Sequence, residues 1–155
     1  MANSNAVDLV YSEVRELLRR QEKDVDDIRR RAAAVVGVIS LALSFFASAI
    51  LKSGQETGCG FIVSMGLIVL GLVVALWVML PRRNAWLFSP QPEVLLSDYA
   101  SLSKEDAQEH LAIFMAGWID SNQIIIDRLY RGLFWSILLA GVGVVMLAVV
   151  LVGRV

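Results

Sequence analysis

Few residues in this sequence are equipped for chemistry, and they are spread along helical patterns rather than gathered at one place. His110 is the single histidine, with Glu109 beside it and Asp106 one turn earlier. An imidazole and a carboxylate at that spacing can relay a proton or hold a metal. A zinc site, however, needs three or four ligands, and the others would have to come from distant carboxylates. The better reading of His110 is a polar surface residue. No serine or cysteine stands with a partnered base, no glycine-rich phosphate loop occurs, and no pair of carboxylates marks a cleft. The expectation is a protein that is not an enzyme, with no catalytic residues, no metal ligands and no cofactor.

Small and weakly polar residues inside apolar segments offer a different chemistry. Ser40, Ser44 and Ser48 recur at every fourth position with Gly37 nearby, Ser64, Gly66 and Gly71 lie in a second segment, and Ser136, Gly141 and Gly143 in a third. Such residues let helix backbones approach closely and hydrogen-bond across the contact. The alternative is that the serine ladder lines a narrow pore once chains assemble.

The segments carrying these residues run from Ala32 to Leu51, Gly60 to Leu80 and Leu133 to Val152, free of Asp, Glu, Lys and Arg. Each is about 20 residues long, enough for a helix to cross a hydrocarbon layer of about 30 Å. They account for much of the 57% hydrophobic content of a chain of 155 residues. The first is read as an anchor and not a signal peptide, because the stretch before it is long and mixed in charge and no convincing cleavage site follows. The absence of charge within the spans argues against an ion-coupled transporter or a voltage sensor. One cysteine, Cys59, allows no internal disulfide, and a net charge of −1 gives no signal for nucleic acid.

Lys and Arg are divided unevenly about the spans. Seven lie between Arg15 and Arg31 and five between Arg82 and Arg131, against Lys52 alone in the first turn and Arg154 alone at the end. The excess of Lys and Arg in cytoplasmic segments places residues 1–31 and 81–132 in the cytoplasm. The turn at 52–59 and the tail at 153–155 then face the periplasm or exterior.

The arm before the first span is amphipathic. Val7, Val10, Val14, Leu17 or Leu18, Gln21, Val25 and Ile28 recur at steps of three and four, and Glu16 with Arg19 or Arg20, and Asp26 with Arg29 or Arg30, can pair on the other side. No glycine or proline separates this helix from the span. After the second span Pro81 breaks the helix, and a connector with Pro90 and Pro92 follows. Ser103 with Asp106 predicts an N-cap. A second long helix then runs from about Lys104 into the third span on Ala107, Leu111, Phe114 or Met115, Trp118, Asn122, Ile125 or Ile126, Leu129 and Leu133. The predicted fold is all-α, with three transmembrane helices of which the first and third extend into the cytoplasm. Two amphipathic helices bury their apolar faces poorly alone, so the chain is expected to form a homo-oligomer in the lipid bilayer.

In layout, the chain resembles the small transmembrane effectors of the bacterial Pycsar antiphage systems. The resemblance rests on Asp27-Ile28-Arg29-Arg30-Arg31-Ala32 leading into a span, an immediate second span, the exit Pro81-Arg82-Arg83 followed by Trp86-Leu87-Phe88, a helical segment with Asn122 to Tyr130, and a closing span. It implies a dormant effector in the bacterial inner membrane, partnered with a pyrimidine nucleotide cyclase, switched by cyclic CMP or cyclic UMP, and impairing the membrane. A recognisable cyclic-nucleotide domain is missing, so the ligand would be met by the cytoplasmic helices and connector. By residue type, Arg82, Arg83, Arg128 or Arg131 could meet a phosphate, and Trp86, Phe88 or Trp118 could stack on a base, while Trp118 could equally be a core anchor between helices. The competing expectations are a constitutive scaffold and a small channel without a nucleotide ligand.

Overall fold

The computed structural model describes residues 2–53, 58–80 and 102–152. They form three helices: α1 (Ala2–Ser53), α2 (Cys59–Met79) and α3 (Lys104–Val152). Each contains a stretch long and apolar enough to cross a membrane. The connector between α2 and α3, including Pro81, Arg82, Arg83, Trp86, Phe88, Pro90 and Pro92, lies outside the described residues, as do the turn at 54–57 and the tail at 153–155.

α1 and α3 are unbroken. At the helical rise their 52 and 49 residues span about 78 and 74 Å, more than twice the hydrocarbon thickness. α2, with 21 residues, spans about 32 Å, close to one bilayer core. α1 contains no proline and only Gly37, which a helix tolerates at about 1 kcal/mol. α3 starts as its sequence predicts. The Asp106 amide donates to Ser103 Oγ at 3.2 Å, the Ser103 hydroxyl donates to Asp106 Oδ2 at 2.7 Å, and the Ala107 amide donates to the Ser103 carbonyl at 2.9 Å. The cap thus closes with an aspartate where a glutamate or glutamine is usual.

The chain divides into two compact units, the first made of Met1–Asp26 and Pro81–Asp127, the second of Asp27–Leu80 and Arg128–Val155. In the first, α1 and α3 run parallel. Lys104 meets Asp8 at 3.7 Å at one level, and Gln21 meets Ile119 and Gln123 further along. The inward line of α1 is Val7, Tyr11, Val14, Leu18, Gln21 and Val25, the alternating steps of four and three of a heptad seam. Leu18, Met115 and Trp118 form its centre, with Tyr11, Val14 and Ile119 packed against them. One member of the predicted stripe leaves it: Val10 is exposed and Tyr11 takes the inward place, while of Leu17 and Leu18 it is Leu18 that turns in. On α3, Met115 and Ile126 are buried and Phe114 turns outward. Glu16 pairs with Arg20 at 3.4 Å, while the second predicted pair forms one residue on, between Asp27 and Arg31 at 2.7 Å. All four side chains are largely exposed, so these contacts contribute a few tenths of a kcal/mol at most.

The second unit is apolar on its outside. Val38, Leu41, Phe45, Ile62, Val145 and Val149 are exposed, while Ser64 and Ser136 are fully buried, an arrangement suited to hydrocarbon surroundings and not to water. Ile39, Ile68, Ala140 and Leu147 form its core, with Val35 and Phe46 of α1 packed against them. α2 and α3 run antiparallel, Gly60 lying by Val150, Gly71 by Ser136 and Ala140, and Gly132 by Val78. Their approach is close. A Cβ on Gly71 would stand 3.0 Å from both the Ala140 nitrogen and the Ser136 carbonyl oxygen, and one on Gly143 would stand 2.7 Å from Ile68 and 3.0 Å from the Ser64 carbonyl oxygen. Backbone cannot yield as a flexible side chain can. Gly71→Val and Gly143→Val are therefore expected to destabilise the protein by about 1–3 kcal/mol each. Gly66→Val and Gly141→Val, at positions with open space around the Cβ, should stay within about 0.5 kcal/mol of the parent. Helical circular dichroism through thermal unfolding in detergent checks both.

Candidate functional site

The residues expected to do chemistry separate into three groups. Ser64 and Gly71 belong to the contact between α2 and α3, and Gly66 faces open space. The Ser64 hydroxyl donates to the Gly60 carbonyl of its own helix at 2.7 Å. The Ser136 hydroxyl crosses to the Gly71 carbonyl at 2.8 Å in a fully buried position. At Gly71 and Ser136 the backbones come together and a hydroxyl bridges the gap.

The α1 serines behave differently. Ser40 donates to the Val36 carbonyl at 2.8 Å, Ser44 to the Ser40 carbonyl at 2.9 Å, and Ser48 to the Phe45 carbonyl at 2.7 Å. All three are exposed, and Gly37 has nothing within 4 Å of its Cβ position. Each hydroxyl is therefore satisfied within its own helix, and the four residues form a thin, weakly polar stripe facing away from the rest of the chain.

Of the ligand candidates, Trp118 is placed in the core of the first unit. It is 9% exposed and packs with Leu18 and Met115, with the Phe114 ring edge-on at a centroid distance of 4.9 Å. Offering its face to a base would require the helix pair to open. Arg128 and Arg131 are exposed residues of α3 within the second unit. Arg82, Arg83 and Trp86 lie outside the described residues. His110 is exposed, and among the described residues no group of three His, Cys, Asp or Glu gathers to hold a metal.

Two features of the first unit are not evident from sequence pattern alone. One is a polar layer in the helix seam. Gln21 is 6% exposed and Asn122 1%. Gln21 Nε2 donates to the Ile119 carbonyl at 2.9 Å and reaches Gln123 Oε1 at 3.5 Å, while Gln21 Oε1 is buried with no partner. The only signal in the sequence is an amide standing where the stripe calls for an aliphatic residue. The other feature is an apolar groove of about 390 Å³ along one flank of the pair, lined by Val7, Val10 and Val14 of α1 and by Glu109, Ala112, Ile113 and Ala116 of α3. Ala112 and Ala116, small residues one turn apart, leave the space.

Compared with family models, curated proteins and solved structures, the chain shows no match.

A buried, unpartnered amide oxygen costs about 1–3 kcal/mol, more than the single neutral hydrogen bond that Gln21 donates. Gln21→Leu is therefore expected to raise the stability of the full chain by about 1 kcal/mol, seen as a higher thermal midpoint in detergent. A fall in the midpoint would show that the amide makes a larger contribution than this geometry implies.

Proposed function

We propose that this protein is an oligomeric effector of the bacterial inner membrane, acting in antiphage defence. In this reading a cyclic pyrimidine nucleotide, cyclic CMP or cyclic UMP, made by a partner cyclase, binds the cytoplasmic portion, and the response is impairment of membrane integrity or potential. The amino terminus lies in the cytoplasm and the carboxyl terminus in the periplasm.

The observation that supports it is the continuity of α1 and α3. Each helix runs without a break from a charged segment into an apolar span, so the segment proposed to meet the ligand and the segment proposed to cross the membrane belong to the same helix. A ligand acts by binding one packing better than another, and moves the equilibrium only by that difference. Arg82, Arg83 and Arg128, with Arg131, would meet the phosphate, and Trp86 the base. Trp118 would contribute only in an opened packing. The covered position of Trp118 favours a second reading, a constitutive helical scaffold in which the first unit is a fixed contact and no nucleotide is read.

Purified protein in vesicles holding a membrane potential separates the two. Cyclic CMP and cyclic UMP are added in turn, with cyclic AMP as control. The expected result is collapse of the potential with a cyclic pyrimidine nucleotide and none with cyclic AMP. Arg128→Ala should shift the half-maximal nucleotide concentration about tenfold upward, the loss of one charge-assisted contact. An unchanged potential with every nucleotide, in protein shown to be oligomeric, would leave the scaffold.

A further inference from the structure

The helix pair of the first unit has two flanks of opposite character. Successive residues of a helix turn by about 100°, so Val10 and Leu17 fall on one side of the inward line of Val14, Leu18 and Gln21, and Arg15 and Arg19 fall on the other. The first side carries the groove, with Glu109 on its wall. Val10 and Ile113 stand open there at 52% and 67% exposure. The second side carries the contact of Asp8 with Lys104 and the outward ring of Phe114, 52% exposed. Arg15 and Arg19 are exposed.

These flanks are complementary in shape, charge and height. An apolar cavity of about 150 Å³ takes a benzene ring, and the groove is more than twice that volume. Phe114 stands between Ala112 and Ala116 in the sequence of α3, so on a second copy with the same membrane orientation it lies level with the groove of the first. By the register of Asp8 with Lys104 and Gln21 with Ile119, Arg15 of that copy stands within about one turn of Glu109, inside the reach of its long side chain. The groove side and the Phe114 side are different surfaces, so a contact between them is heterologous, and repeating it produces a closed ring or an open chain.

We propose that the groove receives Phe114 of a second copy of this chain, with Arg15 of that copy against Glu109, and that the contact repeats head to tail around a closed ring. This assignment rests on the common membrane orientation of the proposed function but not on its nucleotide. It gives Phe114 and the alanine pair at 112 and 116 a joint role that neither has within one chain.

Disulfide crosslinking in membranes, without nucleotide and on a Cys59→Ser background, tests it. Leu17, exposed on the groove flank, is level with Phe114 by the register of Gln21 with Ile119. Leu17→Cys and Phe114→Cys in the same chain should give a ladder of oligomers ending in one top band, whose subunit number is that of the ring. Chains carrying only Leu17→Cys, mixed with chains carrying only Phe114→Cys, should stop at dimers, and either single variant alone should not crosslink. Arg15→Glu or Glu109→Arg alone should lower the yield about tenfold, and the two together should restore it, a reversal that a mere folding defect would not show. Strong dimers from a single variant, a disulfide closed within one chain, or no crosslink in protein of full helical content would each overturn the assignment. None of these outcomes bears on whether a nucleotide collapses the membrane potential, so failure here and failure of the nucleotide reading remain distinguishable.

Discussion

Two helices that never break must satisfy two different surroundings along one backbone, and most other features of this chain follow from that requirement. A helix closes its own backbone hydrogen bonds, so α1 and α3 can pass from a charged segment to an apolar one with no unpaired amide at the crossing. What changes along them is only the side-chain pattern. In the first unit the inward seam is largely apolar and charges turn out; in the second Leu41, Phe45 and Val149 turn out around a core that is apolar too, with Ser136 of α3 buried in it. The same periodicity serves both, and what differs is the outer face.

Packing in the second unit cannot draw on the exclusion of water if its outside lies in hydrocarbon, so contact distance and hydrogen bonding carry more of the stability. This explains why Gly71, Gly143 and Ser136 stand where the backbones of α2 and α3 come closest, beside the aliphatic core of Ile68 and Leu147. A glycine facing a backbone lets two helices gain dispersion contacts along their whole length. The hydroxyl of Ser136, bonded to the Gly71 carbonyl, adds a directional element that fixes rotation as well as distance. By contrast α1 contributes Ile39, Val35 and Phe46 to the core of this unit and keeps Gly37, Ser40, Ser44 and Ser48 outside. Only 11% of its most apolar window is buried within the chain, against 28% for α2.

The helices themselves were legible in the sequence, because periodicity, the absence of proline and the Ser103 cap all point to the same elements. The finer placement was less so. Val10 and Tyr11 are both acceptable on an apolar stripe read by steps of three and four, and only packing against α3 decides that Tyr11 turns in. Phe114 and Met115 present the same ambiguity, settled in favour of the flexible methionine that fits the space beside Leu18 and Trp118. Hydroxyl type and spacing likewise did not reveal that Ser136 crosses to another helix while Ser40, Ser44 and Ser48 bond their own. That distinction depends on which face meets a neighbour. The groove has no motif at all, since it is made by what Ala112 and Ala116 lack.

The polar layer at Gln21 shows how stability and definition differ in this fold. An all-aliphatic seam between parallel helices is tolerant of sliding, because one heptad step replaces each contact by a similar one. An amide whose donor reaches a particular carbonyl makes the steps unequal. Gln21 on Ile119 ties one residue of α1 to one level of α3 and, with its carbonyl oxygen left unpartnered, does so at a net cost. Buried polar groups are retained at the expense of stability where register matters. Gln21, buried beside the seam residues Leu18 and Val25, thus defines one setting of α1 against α3 within the first unit.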